Sequence, residues 1–459
     1  MLGALRSYFD RMALRAVHRS GARVDRYKLA RRSYVREQLL DDAGIQGAVA
    51  AHAAEKGISE TEAWRVVDRY VDEIVPFFNI IAYYHLGYRA AGWLLNLFYK
   101  VSVEYEDRAR HEQLPRDAVL VYLMNHRSNA DYVLVSYALA GDVAISYAVG
   151  EWARAFPLEH LFKAFGSYFV RRRYREALYH TVLERYVQLI TRQGVTQGIF
   201  LEGGLTRDGK LRPPKVGLLD YVLGIARDPA YRPRLYVVPV AVNYDRVLED
   251  RTLLRELANA DGGPRTSRVR QFREIAHYLW WNSARLVTRR WKRYGRAAVT
   301  VGAPIALDEW FAREAGLFEL ARTERLGRVQ ALCDEIMEHI GQLVPVTPVP
   351  LACAAIESLD RDFIPRVLLL DRMTEMRAVL VELNGRVIRA DRDIAETWER
   401  AWRMLRMRRI LLETGDGYTL LPRNRELVRY YANSIAHLLG PFERSLRARD
   451  TLPADSLYG

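Results

Sequence analysis

The sequence predicts an α/β fold, with a mixed, mostly parallel sheet flanked by helices, a helical amino-terminal region and a small, mostly helical carboxy-terminal domain containing a β-hairpin. Three observations lead to this prediction. From about residue 102 to residue 301, short apolar runs alternate with helical stretches, as in sheets whose parallel strands are joined by helices. Residues 1–72 have helical periodicity. Beyond the proline-rich stretch 343–351, the pattern is two helices, a hairpin and a helix.

These patterns divide the chain into three regions. Its 459 residues exceed the usual size of one domain. We expect a basic helical region at 1–72, an α/β domain at 73–310, and a helical linker followed by a winged-helix-like domain at 311–459. The turn of the hairpin is expected at Gly415-Asp416-Gly417. The candidate strands of the α/β domain are the apolar runs 118–124, 144–149, 168–171, 198–201, 235–242 and 298–301.

The net charge of +13 and the isoelectric point near 9.6 favour an acidic partner. Anionic lipid, phosphorylated substrates and nucleic acid all satisfy that preference. The winged-helix-like segment has no concentrated basic wing, so nucleic acid is not the favoured partner. The two cysteines, Cys333 and Cys353, lie outside any metal-ligand spacing. Neither a disulfide framework nor a metal site is expected, which fits a reducing, cytosolic-facing environment.

The amino-terminal region is rich in arginine, interleaved with apolar residues. It has the pattern of a basic amphipathic helix that contacts anionic lipid, although a solvated helix face or a transit-like segment has the same pattern. The arginines interrupt any secretory apolar core, so export is not expected. Further along, Ser59 and Glu62 have the spacing of a capping box, which predicts the start of a new helix.

The most apolar stretch runs from Val75 to Tyr99 and is long enough to cross a bilayer. It also contains Pro76, His85 and Arg89, which are costly inside a membrane. Three interpretations remain open: an interfacial or lipid-facing helix, a buried helix of the α/β domain, and a true membrane span. We expect the protein at the cytoplasmic face of the cell membrane, bound peripherally or inserted shallowly.

A polar segment of sequence NHRSNAD, at 125–131, follows the apolar run 118–124 and precedes a helical pattern. His126 and Asp131 lie at the two ends of one loop. The carboxylate can therefore accept the imidazole Nδ1 proton, which leaves Nε2 to accept a proton from a substrate hydroxyl. A loop cap is the alternative role for such a pair. Three further blocks follow at strand ends, namely GSYFVRR at 166–172, FLEGGLTR at 200–207 and VVPV at 237–240.

Together the four blocks resemble the glycerolipid acyltransferases, in particular the long bacterial glycerol-3-phosphate acyltransferases and their dihydroxyacetone-phosphate acyltransferase relatives. The resemblance covers most of the chain. It implies a membrane-associated enzyme that moves a fatty acyl group from an acyl-CoA or acyl-ACP thioester to a hydroxyl of glycerol 3-phosphate in phospholipid biosynthesis. The thioester is a co-substrate, and no cofactor is expected. Further similarity lies in PPKVG at 213–217, VGAPI at 301–305 and YYANSI at 430–435.

In the implied reaction His126 is the general base, and Asp131 orients it. The resemblance also assigns Glu202 and Gly203 to the active site, and Pro239 is expected to shape the neighbouring backbone. Glu202 has two possible roles, hydrogen bonding to glycerol hydroxyls or holding a cation. Covalent catalysis by Ser128 is the competing mechanism, but the sequence context of a nucleophile elbow is missing. The residues expected to bind substrate are Phe169, Arg171, Arg172, Gly204, Thr206, Arg207 and Lys215.

One position departs from the family pattern. Leu205 stands where glycerol-3-phosphate enzymes have an arginine that can contact phosphate. Either another cation substitutes, with Lys210 and Lys215 as candidates, or the acceptor differs, for example lysophosphatidate or a non-standard lipid. The family resemblance also gives dihydroxyacetone phosphate as an alternative acceptor. Two hypotheses from other classes are an inactive acyltransferase-like protein that binds acidic lipid, and a basic nucleic-acid-binding protein. The sequence does not indicate an oligomeric state.

Overall fold

The computed structural model describes residues 32–77, 88–140, 142–150, 158–171, 174–260 and 293–440. Several expectations concern residues outside these ranges. They concern the most amino-terminal part of the basic region (1–31), the centre of the apolar stretch (78–87) and Arg172.

The described chain begins with three helices, α1 (Arg32–Leu40), α2 (Ala43–Lys56) and α3 (Glu60–Ile74). The predicted capping box at the start of α3 is confirmed. The Ser59 hydroxyl accepts the amide of Glu62 at 3.3 Å, and the Glu62 carboxylate accepts the amide of Ser59 at 3.0 Å. Both α2 and α3 pack against α8 (Ala177–Arg192). This part of the chain therefore forms one wall of the α/β domain.

The predicted α/β class is confirmed by a central sheet of eight strands. Its order is β1-β7-β6-β2-β5-β3-β4, with β8 beside β6. The five neighbouring strands β6, β2, β5, β3 and β4 are parallel to one another. β7 is antiparallel to β6 and parallel to β1. The strands are β1 (Lys100–Tyr105), β2 (Val119–Met124), β3 (Ser146–Gly150), β4 (Tyr168–Val170), β5 (Gln197–Phe200), β6 (Leu235–Tyr244), β7 (Arg296–Val301) and β8 (Ile305–Ala306).

All six candidate strands are strands in the structure, but β1 and the two-residue strand β8 had no counterpart among them. β1 is the longer of the two. This strand lies at the edge of the sheet, and Lys100 and Glu104 on it are exposed. An edge strand does not need the continuous apolar run of a strand that is covered on both faces. The continuous apolar pattern therefore predicted the buried strands and missed the partly exposed edge strand β1, as well as the short β8.

Both faces of the sheet are covered. On one face, Tyr122 and Tyr244 join a core with α4, α6 and the carboxy-terminal helices. On the other face, Val121 and Val237 pack with α2, α3, α8, α9 and α12. Among the described residues, no helix has both the length and the apolar character needed to cross a membrane. The remaining helices of this part are α4 (Tyr88–Phe98), α5 (Arg108–Glu112), α6 (Asp131–Leu139), α7 (Leu158–Ala164), α9 (Gly217–Leu223), α10 (Asp250–Ala260), α11 (Asp308–Arg313) and α12 (Arg322–Leu343).

The carboxy-terminal part contains the predicted hairpin, formed by β10 (Leu411–Thr414) and β11 (Gly417–Leu420). Gly415 lies in the turn with a φ of 57°, a left-handed conformation that glycine adopts without strain. A third strand, β9 (Phe363–Pro365), pairs with β11 in antiparallel register. The winged-helix comparison stays a prediction, as do the domain boundaries. The helices of this part are α13 (Pro348–Leu359), α14 (Arg366–Glu382), α15 (Ile394–Met407) and α16 (Arg425–Asn433).

Candidate active site

The site is built on the loop that leaves the carboxyl end of β2. All six residues of β2 are buried, and the next residue, Asn125, continues the pairing with β6 through its side chain. The amide oxygen of Asn125 accepts the backbone amide of Val242 at 2.8 Å, and its nitrogen donates to the carbonyl of Val242 at 3.1 Å. This pair of hydrogen bonds fixes the point at which His126 leaves the sheet.

His126 and Asp131 are in direct contact, with 3.0 Å between Nδ1 and Oδ2. Their side chains are 1% and 0% exposed. The same oxygen of Asp131 accepts the backbone amides of Arg127 at 2.7 Å and Ser128 at 3.0 Å. Its other oxygen accepts the Tyr244 hydroxyl at 2.6 Å. With donors on both oxygens, the carboxylate cannot rotate away from the imidazole, and a proton on Nδ1 is the tautomer that this contact favours.

The plane of the imidazole is set by two aromatic rings. Phe200, the last residue of β5, stacks on His126 with 3.9 Å between ring centroids and 26° between planes. Tyr132, in the first turn of α6, meets the ring edge-on at 5.5 Å. Because the ring is packed on its face and hydrogen-bonded at Nδ1, its orientation is determined before any substrate binds.

Glu202 connects the third block to the backbone of His126. One carboxylate oxygen accepts the amide of His126 at 3.0 Å, and the other accepts the amide of Arg212 at 3.3 Å. Burial raises the pKa of Glu202 from an ordinary 4.5 to about 7. On the other side, the His126 carbonyl accepts the amide of Thr206 at 3.2 Å. The block from 200 to 207 is therefore hydrogen-bonded to His126 through both backbone groups of the histidine.

Gly203 occupies a conformation that a side chain would disturb. Its φ is 63°, and a Cβ atom there would lie 2.8 Å from the Cδ atom of Lys215. Its amide donates to the carbonyl of Phe200 at 3.0 Å, which commits that amide to the turn. In this conformation the Gly203 amide is therefore not available to a substrate. Lys215 itself is exposed, and its amide donates to the carbonyl of Leu201 at 2.8 Å.

Ser128 is hydrogen-bonded to a carboxylate that the sequence analysis did not single out. Its hydroxyl donates to Glu249 Oε2 at 2.7 Å, and the amide of Asn129 donates to Oε1 at 3.2 Å. Burial raises the pKa of Glu249. The Ser128 hydroxyl also accepts the amide of Ala130 at 3.1 Å. These bonds give Ser128 a structural role in the loop, which does not favour the covalent mechanism.

Arg127 joins the loop to the carboxy-terminal part of the chain. Its guanidinium donates to the carbonyl of Gly209 and to Asn243 Oδ1, the latter at 3.3 Å. The amide nitrogen of Asn243 in turn donates to the carbonyl of Pro345 at 3.0 Å and to the Ser434 hydroxyl at 3.3 Å. Ser434 belongs to the YYANSI segment, so this segment packs behind the site.

The residues expected to bind the acceptor come from two parts of the chain, the end of β4 and the loop after β5. Phe169 is buried in β4. The Arg171 guanidinium makes two contacts with the Glu73 carboxylate, at 2.8 and 2.5 Å, and lies 4.6 Å from the ring centre of Tyr174. The Glu73 carboxylate raises the pKa of Arg171. In this structure Arg171 is therefore paired with a protein carboxylate.

The other acceptor candidates lie on the loop after β5. The Arg207 guanidinium is about half exposed and lies 3.4 Å from a carboxylate oxygen of Glu256. The Thr206 side chain is buried, and its hydroxyl donates to Asp208 at 3.1 Å. Leu205 packs against the apolar core. Arg172 lies outside the described residues.

Pro239 lies within β6, an interior strand, opposite Leu123 of β2. Its carbonyl accepts the amide of Gly302, just after β7, at 2.8 Å. The backbone nitrogen and carbonyl of a strand residue point to the same side of the strand, so the Pro239 nitrogen, which has no hydrogen to donate, faces the turn between β7 and β8. At this position neither β7 nor β8 pairs with β6, and the proline therefore costs the sheet no hydrogen bond.

Four residues of the site were not proposed from the sequence, namely Asn125, Phe200, Tyr244 and Glu249. Phe200 had a usable signal, since it ends the strand that pairs with β2 and lies opposite Met124. Tyr244 and Glu249 lie more than a hundred positions after the loop that they contact. No local spacing could have identified them.

The chain resembles known acyltransferases over most of its length. Residues 107–243 match the acyltransferase family, and residues 281–441 match the glycerol-3-phosphate acyltransferase C-terminal region. The glycerol-3-phosphate acyltransferase of Aeromonas hydrophila is 29% identical over 424 residues, and that of Actinobacillus succinogenes is 27% identical over 425 residues. Both alignments cover 90% of this chain and 50% of the relative. The chain therefore spans about half the length of these relatives.

Among solved structures, the chain is similar to the 1-acyl-sn-glycerophosphate acyltransferase of Thermotoga maritima. The sequence identity is 15% and the TM-score is 0.31, with 67% of this chain and 87% of the other covered. The two family matches fall in the order in which the four blocks and the YYANSI segment occur along the sequence. Over most of its length, the chain is therefore similar to glycerol-3-phosphate acyltransferases.

Proposed function

We propose that the chain is an O-acyltransferase that moves a fatty acyl group from an acyl-CoA or acyl-ACP thioester to a hydroxyl of glycerol 3-phosphate. The observation that carries this proposal is the buried contact of 3.0 Å between His126 Nδ1 and Asp131 Oδ2. A base that is oriented in this way suits a reaction whose acyl donor is already activated, because only the hydroxyl needs to be deprotonated.

In the proposed mechanism, Asp131 keeps the Nδ1 proton of His126 in place. Nε2 then accepts the proton of the acceptor hydroxyl as its oxygen attacks the thioester carbonyl carbon. The amide of Gly204 is the candidate donor to the oxygen that becomes negative at this stage. When the carbon–sulfur bond breaks, the imidazolium returns the proton to the departing sulfur. The products are an ester and a free thiol, and His126 is again neutral.

The acceptor carries a phosphate group, which requires fixed cations. We propose Arg171, Arg172, Arg207 and Lys215 for this role, with Phe169, Gly204 and Thr206 shaping the same site. Binding through Arg171 requires the acceptor phosphate to compete with the Glu73 carboxylate for the guanidinium. Leu205 offers no charge and contacts the core, so lysophosphatidate and dihydroxyacetone phosphate remain alternative acceptors.

We further propose that the protein acts at the cytoplasmic face of the cell membrane as a peripheral or shallowly inserted protein. On α4, Trp93 is 63% exposed and Leu94 is 40% exposed. Large apolar and aromatic side chains on one helix can enter the interface between lipid headgroups and acyl chains. The positive net charge of the chain favours anionic lipid.

The experiment that tests the activity is acyl transfer by the purified chain in liposomes. Acyl-CoA and acyl-ACP are each offered with glycerol 3-phosphate, lysophosphatidate and dihydroxyacetone phosphate. We expect turnover with glycerol 3-phosphate, reduced about 10²–10⁴-fold in His126→Ala. The acceptor that supports the highest turnover is identified as the substrate, and the comparison of acyl-CoA with acyl-ACP shows which thioester is the donor.

His339→Ala provides a matched control. His339 also contacts a carboxylate, with 3.1 Å from Nε2 to Glu106, but the pair is partly exposed and lies outside the site. We expect this variant to retain turnover. Absence of turnover for every donor and acceptor would favour the inactive lipid-binding alternative. Equal turnover in His126→Ala and the unchanged chain would refute the role of His126 as the general base.

A further inference from the structure

Five basic residues interact electrostatically at the end of the sheet where the candidate active site lies, and we call them the cation cluster. Lys100 and Arg296 begin the adjacent strands β1 and β7 and are register partners. Arg389 and Arg392 lie in the loop before α15, and Arg400 lies on that helix. None of the five belongs to the four blocks or to the segments on which the family resemblance depends.

Lys100 and Arg296 present their side chains to the same face of the sheet. The Arg296 guanidinium donates through Nη1 to the hydroxyl of Ser102 at 2.8 Å. Ser102 is two residues after Lys100 on β1, and residues two apart on a strand share a face. The face is therefore common to Lys100, Ser102 and Arg296.

The cation cluster is linked to the active site through consecutive residues of the chain. The Tyr244 hydroxyl contacts Asp131, and the following residue, Asp245, accepts the backbone amide of Arg296 at 2.7 Å. In the same ladder, Tyr244 pairs with Ala297. The carboxyl end of β6 and the amino end of β7 thus place Arg296 at the active-site edge of the sheet.

Two guanidinium nitrogens of this cluster are buried without an acceptor among the described residues. They are Nη2 of Arg296 and Nε of Arg400. Arg296 is only 6% exposed. A buried charged donor that lacks an acceptor is costly, so proteins usually supply one. An anionic group bound at the cation cluster would supply such an acceptor.

The charges of the cluster are incompletely balanced. The pKa of Lys100 is lowered mainly by the positive charge of Arg296 and to a smaller extent by burial. The three other arginines of the cluster lower it further. Burial together with the same three arginines lowers the pKa of Arg296. Among the described residues, Glu396 forms ion pairs with Arg392 and Arg400, whereas Asp245 accepts the backbone amide of Arg296 and not its guanidinium. Lys100, Arg296 and Arg389 have no ion pair with a carboxylate in the described part of the chain, so the positive charge of the cluster is incompletely neutralised.

Arg389 has an unusual backbone conformation for its residue type. Its φ is 60°, in the left-handed region that favours glycine and asparagine. Asn384, earlier in the same loop region, has a φ of 58° but is a residue that tolerates this conformation. A strained residue is retained when its side chain contributes something that glycine lacks. At position 389 that contribution is a positive charge.

We propose that the cation cluster is a second phosphate-binding site, separate from the acceptor site. Its ligand is a phosphate monoester or diester group, which matches the excess charge and the unused guanidinium donors. Two molecules near this enzyme would carry such a group, the nucleotide part of a coenzyme A thioester and the headgroup of an anionic phospholipid. The inference does not depend on turnover, because phosphate binding can be measured directly.

The test is binding to the full chain in detergent. One arm titrates adenosine 3′,5′-bisphosphate, and the other titrates vesicles of phosphatidylglycerol in phosphatidylcholine against vesicles of phosphatidylcholine alone. The variants are Arg400→Gln and Arg389→Gly, with Arg361→Gln as control because Arg361 is an exposed arginine of the same region. We expect binding to weaken about tenfold in each cluster variant and to stay unchanged in the control.

Arg389→Gly separates binding from folding. Glycine adopts the observed φ without strain, so this variant should be at least as stable as the unchanged chain while it binds phosphate less tightly. A cluster-dependent loss in the nucleotide arm identifies the donor nucleotide as the ligand, and a loss in the vesicle arm identifies the lipid headgroup. Absence of binding in both arms, or equal binding by all variants, would overturn the proposal. These outcomes are independent of whether acyl transfer is observed.

Discussion

The His126–Asp131 pair and the Arg171–Glu73 pair are both ionisable pairs in contact, but they are assembled in opposite ways. His126 and Asp131 are five residues apart and belong to one loop. Arg171 and Glu73 are 98 residues apart and join β4 to the amino-terminal helices. Asp131 receives two further hydrogen bonds from the backbone of its own loop. Arg171 instead contacts the rings of Tyr174, Tyr70 and Tyr179.

This difference indicates how chemistry and specificity are divided in the molecule. A short loop at the end of a strand contains nearly all the hydrogen bonds that orient His126 and Asp131. The cations that would recognise an acceptor depend on carboxylates contributed by distant helices, such as Glu73 on α3 and Glu256 on α10. We infer that acceptor preference can change through such distant partners while the His126–Asp131 pair stays intact.

The largest effect is expected for Asp131→Asn, which breaks the local pair. The amide cannot hold the Nδ1 proton as the carboxylate does, and it cannot stabilise an imidazolium. We expect kcat to fall about 10²–10⁴-fold with little change in the KM for the acceptor. Steady-state acyl transfer measures both constants. Asp360→Asn, at an exposed position, should leave kcat unchanged, and an equal loss in both variants would contradict the assigned role.

The next effect concerns Glu202, the residue that ties the local loop to the neighbouring strand. Its pKa is about 7, against an ordinary 4.5. Between these two pH values the buried Glu202 side chain stays largely protonated in the folded chain, whereas in the unfolded chain it is largely ionised. Folded Glu202 therefore becomes increasingly unfavourable as the pH rises from 4.5 to 7, and the penalty is constant above that. Glu202→Gln has no such penalty, since it does not ionise.

We expect the free energy of unfolding of Glu202→Gln, relative to the unchanged chain, to increase by roughly 3 kcal/mol across that pH range. The glutamine also offers one acceptor oxygen in place of two, which lowers stability at every pH by a constant amount. Urea unfolding at several pH values separates the two contributions. A difference that does not vary with pH would show that the Glu202 carboxyl ionises normally in the folded chain.

A smaller effect is expected for Tyr244→Phe, which removes the one side-chain hydroxyl donor described on Asp131. The contacts of Asp131 with His126 and with two backbone amides remain, so the pair is loosened and not broken. We expect kcat to fall about tenfold, consistent with the loss of one hydrogen bond to a charged group. Tyr122→Phe, in the same core, serves as the control. If kcat is unchanged in Tyr244→Phe, the loop orients Asp131 without help from β6.

The smallest effect is expected for Glu73→Gln, which weakens the distant pair. Arg171 then gains freedom to contact an acceptor phosphate, and we expect the KM for glycerol 3-phosphate to fall about threefold at constant kcat. Arg171→Gln should raise the same KM. If both variants lose thermal stability and neither changes KM, the pair is structural and Arg171 does not bind the acceptor.

Much of this site could be predicted because its signals are local. The continuous apolar run of β2, the polar loop and the helix start at Asp131 together predicted that His126 and Asp131 would lie at a strand end, where they do lie. The capping box at Ser59 and the turn at Gly415 followed the same logic. In each case, the residues that matter are separated by fewer than seven positions.

The fold class, the buried strands and the His126–Asp131 pair were determined by the sequence itself, through periodicity and short-range spacing. The partners of these elements were decided by the tertiary structure. Tyr244 reaches Asp131 because β6 extends beyond β2, and Glu249 reaches Ser128 because α10 begins beside the loop. The pairing of Arg171 with Glu73, and the gathering of the cation cluster, depend on which helices pack at the sheet edges. Such contacts join residues about a hundred or more positions apart, and only the packing of the whole chain brings them within hydrogen-bond distance.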